Sequence, residues 1–230
     1  VALADDIRDL TADSLARLDR VRDYYFHSRE AWDELRAVAA TRPAVVITNP
    51  ETGTAFDYAR LAAESRAYTD DFLKPAVLGS LLSVFEDFVF DLLRLWLTAY
   101  PGKLHKKQIE LEAVLAAGGI PAVLQAVIDR ELNSLKYERV AAWFDYLGRL
   151  VTVPPPPAEE LAAVAEMKAT RDVLVHNNGV VNATYVAKAG GKGRYAVGDL
   201  MELPDPYVRL SADALRRLIA AVGDAVGLRA

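Results

Sequence analysis

Between Glu166 and Tyr185 the chain reads EMKATRDVLVHNNGVVNATY, and three of its side chains are of the types that phosphodiester cleavage would use. Arg171 carries a permanent charge on a planar fork that matches phosphate oxygens, so it suits holding a phosphate and offsetting the charge that builds there during cleavage. His176 can carry protons near neutral pH. Asp172 lies one helical turn before His176, the separation at which side chains on one helix face meet, so it can orient the imidazole. Arg171 points about 140° away from His176 on a regular helix. The two converge if the helix end distorts, if the arginine wraps around, or if two copies meet across a two-fold axis. Cleavage of RNA through its own 2′-hydroxyl benefits from both a base and an acid. One chain offers a single histidine here, and a dimer offers two.

These side chains need a helix that then breaks. The stiff spacer Pro154 to Pro157 precedes a helix that starts near Ala158, and Asn177, Asn178 and Gly179 are suited to end it. Upstream, residues 4 to 40 contain neither Gly nor Pro, and Leu10, Leu15, Leu18, Val21, Tyr25, Trp32, Leu35 and Val38 recur at near-helical spacing, which predicts one long helix. Pro43 stops it, and PAVVITNPETGTAFD reads as a small β excursion turning at Asn49, Pro50 and Gly53. Further helices are expected over Phe56 to Asp70, Pro75 to Tyr100, Lys106 to Ala117, Pro121 to Leu135 and Glu138 to Leu150. The second of these, with Leu78, Leu81, Leu82, Phe85, Phe88, Val89, Leu92 and Trp96 on one face, is the expected centre of the core. Short strands at Tyr195 to Val197 and Tyr207 to Leu210, then a last helix capped by Ser211, complete the reading. The fold class is all-α with a small β excursion.

The 230 residues are 52% hydrophobic and 26% charged, an ordinary globular balance with room for one core. A net charge of −5 excludes a broadly basic surface, so any nucleic-acid contact must come from a local patch. There is no Cys, which excludes disulfides, thiolate metal sites and cysteine nucleophiles. VALADDIRDL lacks the features of a secretory signal, and the apolar stretch from Val77 carries Glu86, Asp87, Asp91 and Arg94, so a cytoplasmic protein with no membrane span is expected.

RDVLVHNNGVVNATYV resembles the signature of the HEPN superfamily of all-helical domains, an Arg and a polar residue followed at short range by His. The likeness is to the bacterial branch carrying VHNxGxVNxxY. It is specific over about twenty residues and architectural elsewhere. The resemblance implies an up-and-down helical bundle with extra helices: a single domain over 1–230, with a candidate insertion at 101–153 and the motif helix and C-terminal part at 158–230. It places Arg171, Asp172 and His176 on the catalytic positions, Asp172 standing where Asn is commoner, and Asn177, Asn178, Asn182 and Tyr185 on the accompanying motif. It also implies a homodimer whose two motifs share one cleft and a metal-independent endoribonuclease without a cofactor. The role implied is that of a toxin or antiphage-defence effector, with an antitoxin or a neighbouring defence protein as partner. The alternative is a non-catalytic dimerisation or nucleotide-binding module built on the same residues.

Other residues carry weaker signals. Lys188, Lys192 and Arg194 follow the motif and are candidates to guide RNA, a surface hairpin being the alternative reading; the GGKG among them lacks the Walker spacing. Lys103, His105, Lys106 and Lys107 form the densest basic cluster. Asp23, His27 and Glu30 share a helix face without an obvious complement for a metal site. Glu86 and Asp87 interrupt an apolar face, and one of them is a candidate partner for Arg171.

Overall fold

The computed structural model describes residues 2–42, 44–104, 114 and 119–230. Apart from Val114, the helix expected at Lys106 to Ala117 lies outside them, as do His105, Lys106, Lys107 and Pro43. The uninterrupted helical periodicity at the start yields helix α1, Ala2–Thr41, which buries Ile7, Leu18 and Tyr25. The β excursion is a two-stranded antiparallel hairpin, β1 (Val46–Thr48) and β2 (Ala55–Asp57), with Ile47 opposite Phe56. The Asn49 side chain accepts the N–H groups of Glu51 and Thr52 at 2.8 and 3.2 Å, and Gly53 takes the left-handed backbone that closes the loop.

Asp57 caps α2 (Tyr58–Ala67) by accepting the Arg60 N–H at 2.7 Å. Where a fresh helix was expected at Pro75, the chain passes from α2 through one widened π segment, Tyr68–Leu73, straight into α3, Lys74–Ala99. A proline in a continuing helix has no N–H to give and its ring crowds the carbonyl four residues back; the wider turn just before Pro75 relieves that crowding.

After α4 (Ile120–Lys136) and α5 (Val140–Leu150) come α6 (Ala158–His176), the short α7 (Ala183–Ala189) and α8 (Asp205–Gly227). Helix α3 is the centre of an all-α bundle, with α1, α4, α5, α6 and α8 packed around it. Its Leu78, Leu81, Leu82, Phe85, Phe88 and Leu92 have no exposed surface, and burying one such side chain stabilises the fold by about 1.5–3 kcal/mol. α1 and α8 approach closely at Gly223, where a Cβ would stand 2.2 Å from the Thr11 hydroxyl. Only a residue without a side chain permits that crossing. The indole N–H of buried Trp143 donates to the Leu135 carbonyl at 2.8 Å and fixes the α4–α5 corner.

The strands expected late in the chain are corrected. Tyr195–Val197 forms none, and the bridge in that region joins Val180 to Leu200. Tyr207–Leu210 belongs to α8, which starts six residues before the expected cap Ser211. Pro206 in the first turn has a preset helical φ, and Asp205 favours the positive end of the helix. Asp205 also anchors the start of α8 to two other helices, binding Arg29 and Lys74 at 2.9 Å and the Tyr25 hydroxyl at 3.0 Å. No helix among the described residues is long and apolar enough to cross a membrane.

Candidate functional site

Helix α6 ends where the asparagines predict. Asn178 and Gly179 have φ of 49° and 77°, conformations that Asn and Gly tolerate best. The Gly179 N–H reaches back to the Val173 carbonyl at 3.2 Å, closing the helix. The Asn177 amide then donates to the Val180 carbonyl, and the Asn182 side chain accepts the Tyr185 N–H at 2.9 Å as the cap of α7. Asn177 and Asn182 therefore build the turn.

Beneath the turn lies a polar knot that sequence reasoning missed. Glu166, 4% exposed on α6, accepts hydrogen bonds from Thr170 at 2.8 Å, Tyr185 at 3.1 Å, Arg194 at 2.9 Å and Tyr207 at 2.7 Å. Tyr185, itself 1% exposed, also accepts the Arg194 backbone N–H at 3.0 Å. The Arg194 guanidinium lies 3.9 Å from the centre of the Tyr207 ring, a cation–π contact made by a side chain that keeps about a quarter of its surface in water. Burial and the neighbouring carboxylate both push the Tyr207 phenol well above its ordinary range. For Arg194, burial alone would lower the pKa, but Glu166, Tyr207 and Tyr185 together outweigh it and the guanidinium stays charged. Tyr185 and Arg194, both expected at the substrate, are placed in this knot, where they tie α6, α7 and α8 together.

The other end of the motif is open. His176 is exposed, and its side chain makes no hydrogen bond or ion pair with a described residue. Val175, its neighbour in the chain, and Val180 and Leu200, which bridge to each other after the turn, are also exposed. The expected pairing of Asp172 with His176 does not form. Asp172 instead accepts from its neighbour Arg171 at 3.1 Å and from Lys188 at 3.0 Å, two cations whose attraction outcompetes the imidazole one turn away. Arg171 also lies 3.7 Å from Glu86, realising the pairing expected for one of the two acids on α3, while Asp87 turns to Arg17 at 2.8 Å.

Glu86 binds Lys168 as well, and that ammonium sits 4.3 Å from the Trp143 ring centre. Burial lowers the Lys168 pKa, although the bond to Glu86 opposes the shift. Lys168, Arg171, Asp172 and Lys188 line one end of a cleft of about 490 Å³ that runs along α6 to the α4–α5 corner. His176 is not among its lining residues. Lys192 is drawn to the start of α6 by Glu159 at 2.9 Å, an exposed pair, and Asn178 is exposed at the turn. Asp23, His27 and Glu30 form no cluster able to hold a metal among the described residues.

The structure thus brings Arg171, Asp172 and Lys188 together and leaves His176 apart on the same helix. A sign of Glu166 was present in the sequence: it interrupts the apolar run Val164 to Met167 on a helix otherwise able to bury that face. Its partners are too distant in the chain to be named from spacing. The chain matches no family model, no curated protein and no solved structure.

Proposed function

We propose that the chain is a metal-independent endoribonuclease of the HEPN type, working as a homodimer in a toxin or antiphage-defence role. One observation carries this reading. His176 stands exposed and unpartnered at the end of α6, and Val175 before it and the bridged pair Val180 and Leu200 after the turn are exposed too, apolar surface suited to a second copy of the chain. Two copies meeting there place two imidazoles at one linkage. The 2′-oxygen attacks phosphorus as one neutral His176 takes its proton, and the protonated His176 of the second copy gives a proton to the departing 5′-oxygen. Products are a 2′,3′-cyclic phosphate and a 5′-hydroxyl. Arg171 offsets the charge on the phosphoryl oxygens, and Asp172 holds the guanidinium in place. An antitoxin or a neighbouring defence protein is the expected regulator, and the cytoplasm the expected compartment.

Pure protein incubated with RNA in EDTA is expected to cut it and leave those ends. His176→Ala and Arg171→Ala should each lower the rate by at least about a hundredfold while sedimentation still reports a dimer. Intact RNA, or cutting that survives both substitutions, overturns the proposal. In cells, growth arrest by the wild type and not by His176→Ala tests the toxin role.

A second reading is favoured by the state of Arg171, already held between Glu86 and Asp172. In it the chain is a non-catalytic dimerisation or nucleotide-binding module. Uncut RNA together with a stable dimer selects it.

A further inference from the structure

The cleft along α6 has a second end, at the corner where α4 gives way to α5. There Lys136, Tyr137 and Arg139 stand over a floor made by Leu161, Ala162 and Ala165 of α6. Its volume of about 490 Å³ is in the range of small-ligand sites. Over its whole length the lining carries five cations against two carboxylates, in a chain whose net charge is −5. The local field therefore opposes the global one and favours an anion. Helix α5 starts at this cleft with neither a side-chain cap nor an acid in its first turn, which adds the positive end of its dipole to that field.

Charge alone would suit any anion, and two further features narrow the choice. Tyr137 is 90% exposed, and its ring and hydroxyl meet no partner among the described residues. An aromatic ring on the rim of a cationic cleft offers a stacking surface, and every nucleobase has a face to stack. Next to it, Arg139 is an exposed cation without an ion pair among the described residues, whereas Lys168 at the far end is already neutralised by Glu86. The alanines of the floor are short, so a flat group can lie against them. A planar aromatic group joined to a phosphate satisfies all of these, and an acidic peptide satisfies only the charge.

We infer that this cleft holds one nucleotide of a single-stranded RNA, its base against Tyr137 and the alanine floor and its phosphate drawn by Arg139. The inference rests on the ribonuclease reading in one respect: Arg171 belongs to both, so the bound nucleotide adjoins the linkage that is cut. Binding itself requires no catalysis.

The test uses a fluorescein-labelled 2′-O-methyl oligoribonucleotide, which lacks the attacking hydroxyl and cannot be cut, titrated with the intact protein by fluorescence anisotropy. Tyr137→Ala is expected to weaken binding at least about fivefold. Arg139→Ala should weaken it too and reduce the log–log salt slope by about 0.7, the value of one phosphate contact on a single strand. Arg217→Ala, an exposed cation outside the cleft, should leave affinity unchanged. Circular dichroism confirms that each variant is folded. Wild-type affinity in both cleft variants overturns the inference. So does displacement of the RNA by polyglutamate as readily as by unlabelled RNA, or saturation by AMP with no gain for the longer strand. Cutting of ordinary RNA that ignores Tyr137 and Arg139 sinks the cleft and spares the ribonuclease reading. Binding that depends on both residues, with no cutting, sinks the ribonuclease reading and spares the cleft.

Discussion

Glu166 and Asp172 are carboxylates on the same helix, less than two turns apart, and each is paired with an arginine. Glu166 is buried, and the groups around it come from α6, α7, α8 and the strand of chain before α8. Asp172 is about a third exposed, and its partners Arg171 and Lys188 both face the cleft. A carboxylate enclosed by donors has one arrangement it can adopt, and removing it strands them. A carboxylate at a cleft edge shares its partners with water and can release them to an incoming phosphate. The helix is thus fixed at one point and left adjustable at the next, and the proposed chemistry falls at the adjustable point.

Removing Glu166 is the strongest way to break that contrast. Glu166→Ala leaves the Arg194 guanidinium beside three hydroxyls with no carboxylate, and a loss of about 3–5 kcal/mol is expected in urea unfolding. A loss under about 1 kcal/mol would mean that the knot is no anchor. Tyr207→Phe sharpens the same point by deleting one donor to Glu166. At neutral pH it should cost about 1.5 kcal/mol, the low end for a hydrogen bond to a charged group. The phenol's pKa is raised by folding from its ordinary 10.0, so its contribution is complete below pH 10.0 and is lost as pH climbs toward the folded value. The stability gap between wild type and Tyr207→Phe should therefore narrow in alkaline urea titrations. A gap that widens there contradicts the buried phenol.

How much of this was legible in the sequence follows the range of the interactions. The long α1, the central α3 and the end of α6 at Asn177–Asn178–Gly179 were readable because periodicity and a left-handed turn are local properties. The start of α8 was misread because Tyr207 to Leu210 are good strand formers, and the helix wins through Asp205, which binds Arg29 and Lys74 far upstream. The knot on Glu166 was invisible since three of its four donors lie 19, 28 and 41 residues away. At Asp172 local spacing even misled: His176 is at the right separation, but Arg171 beside it and Lys188 on α7 take the carboxylate.

Asp172→Ala is the finest test of the contrast, because the two consequences it should have are of different size. Its ion pairs are partly exposed, with Lys188 more than half so, and such pairs contribute about 0–1 kcal/mol, so unfolding should scarcely move. Arg171 would then be steered by Glu86 alone, from 3.7 Å. A guanidinium displaced by even an ångström from its working position is expected to slow cleavage by roughly ten- to a hundredfold. Asp172→Asn keeps an acceptor for the Arg171 Nε–H and should recover most of that loss, whereas a carboxylate needed for its charge would leave Asn as slow as Ala. Equal losses of stability and rate in Asp172→Ala would place this residue with Glu166 as a strut and remove the division of labour along α6.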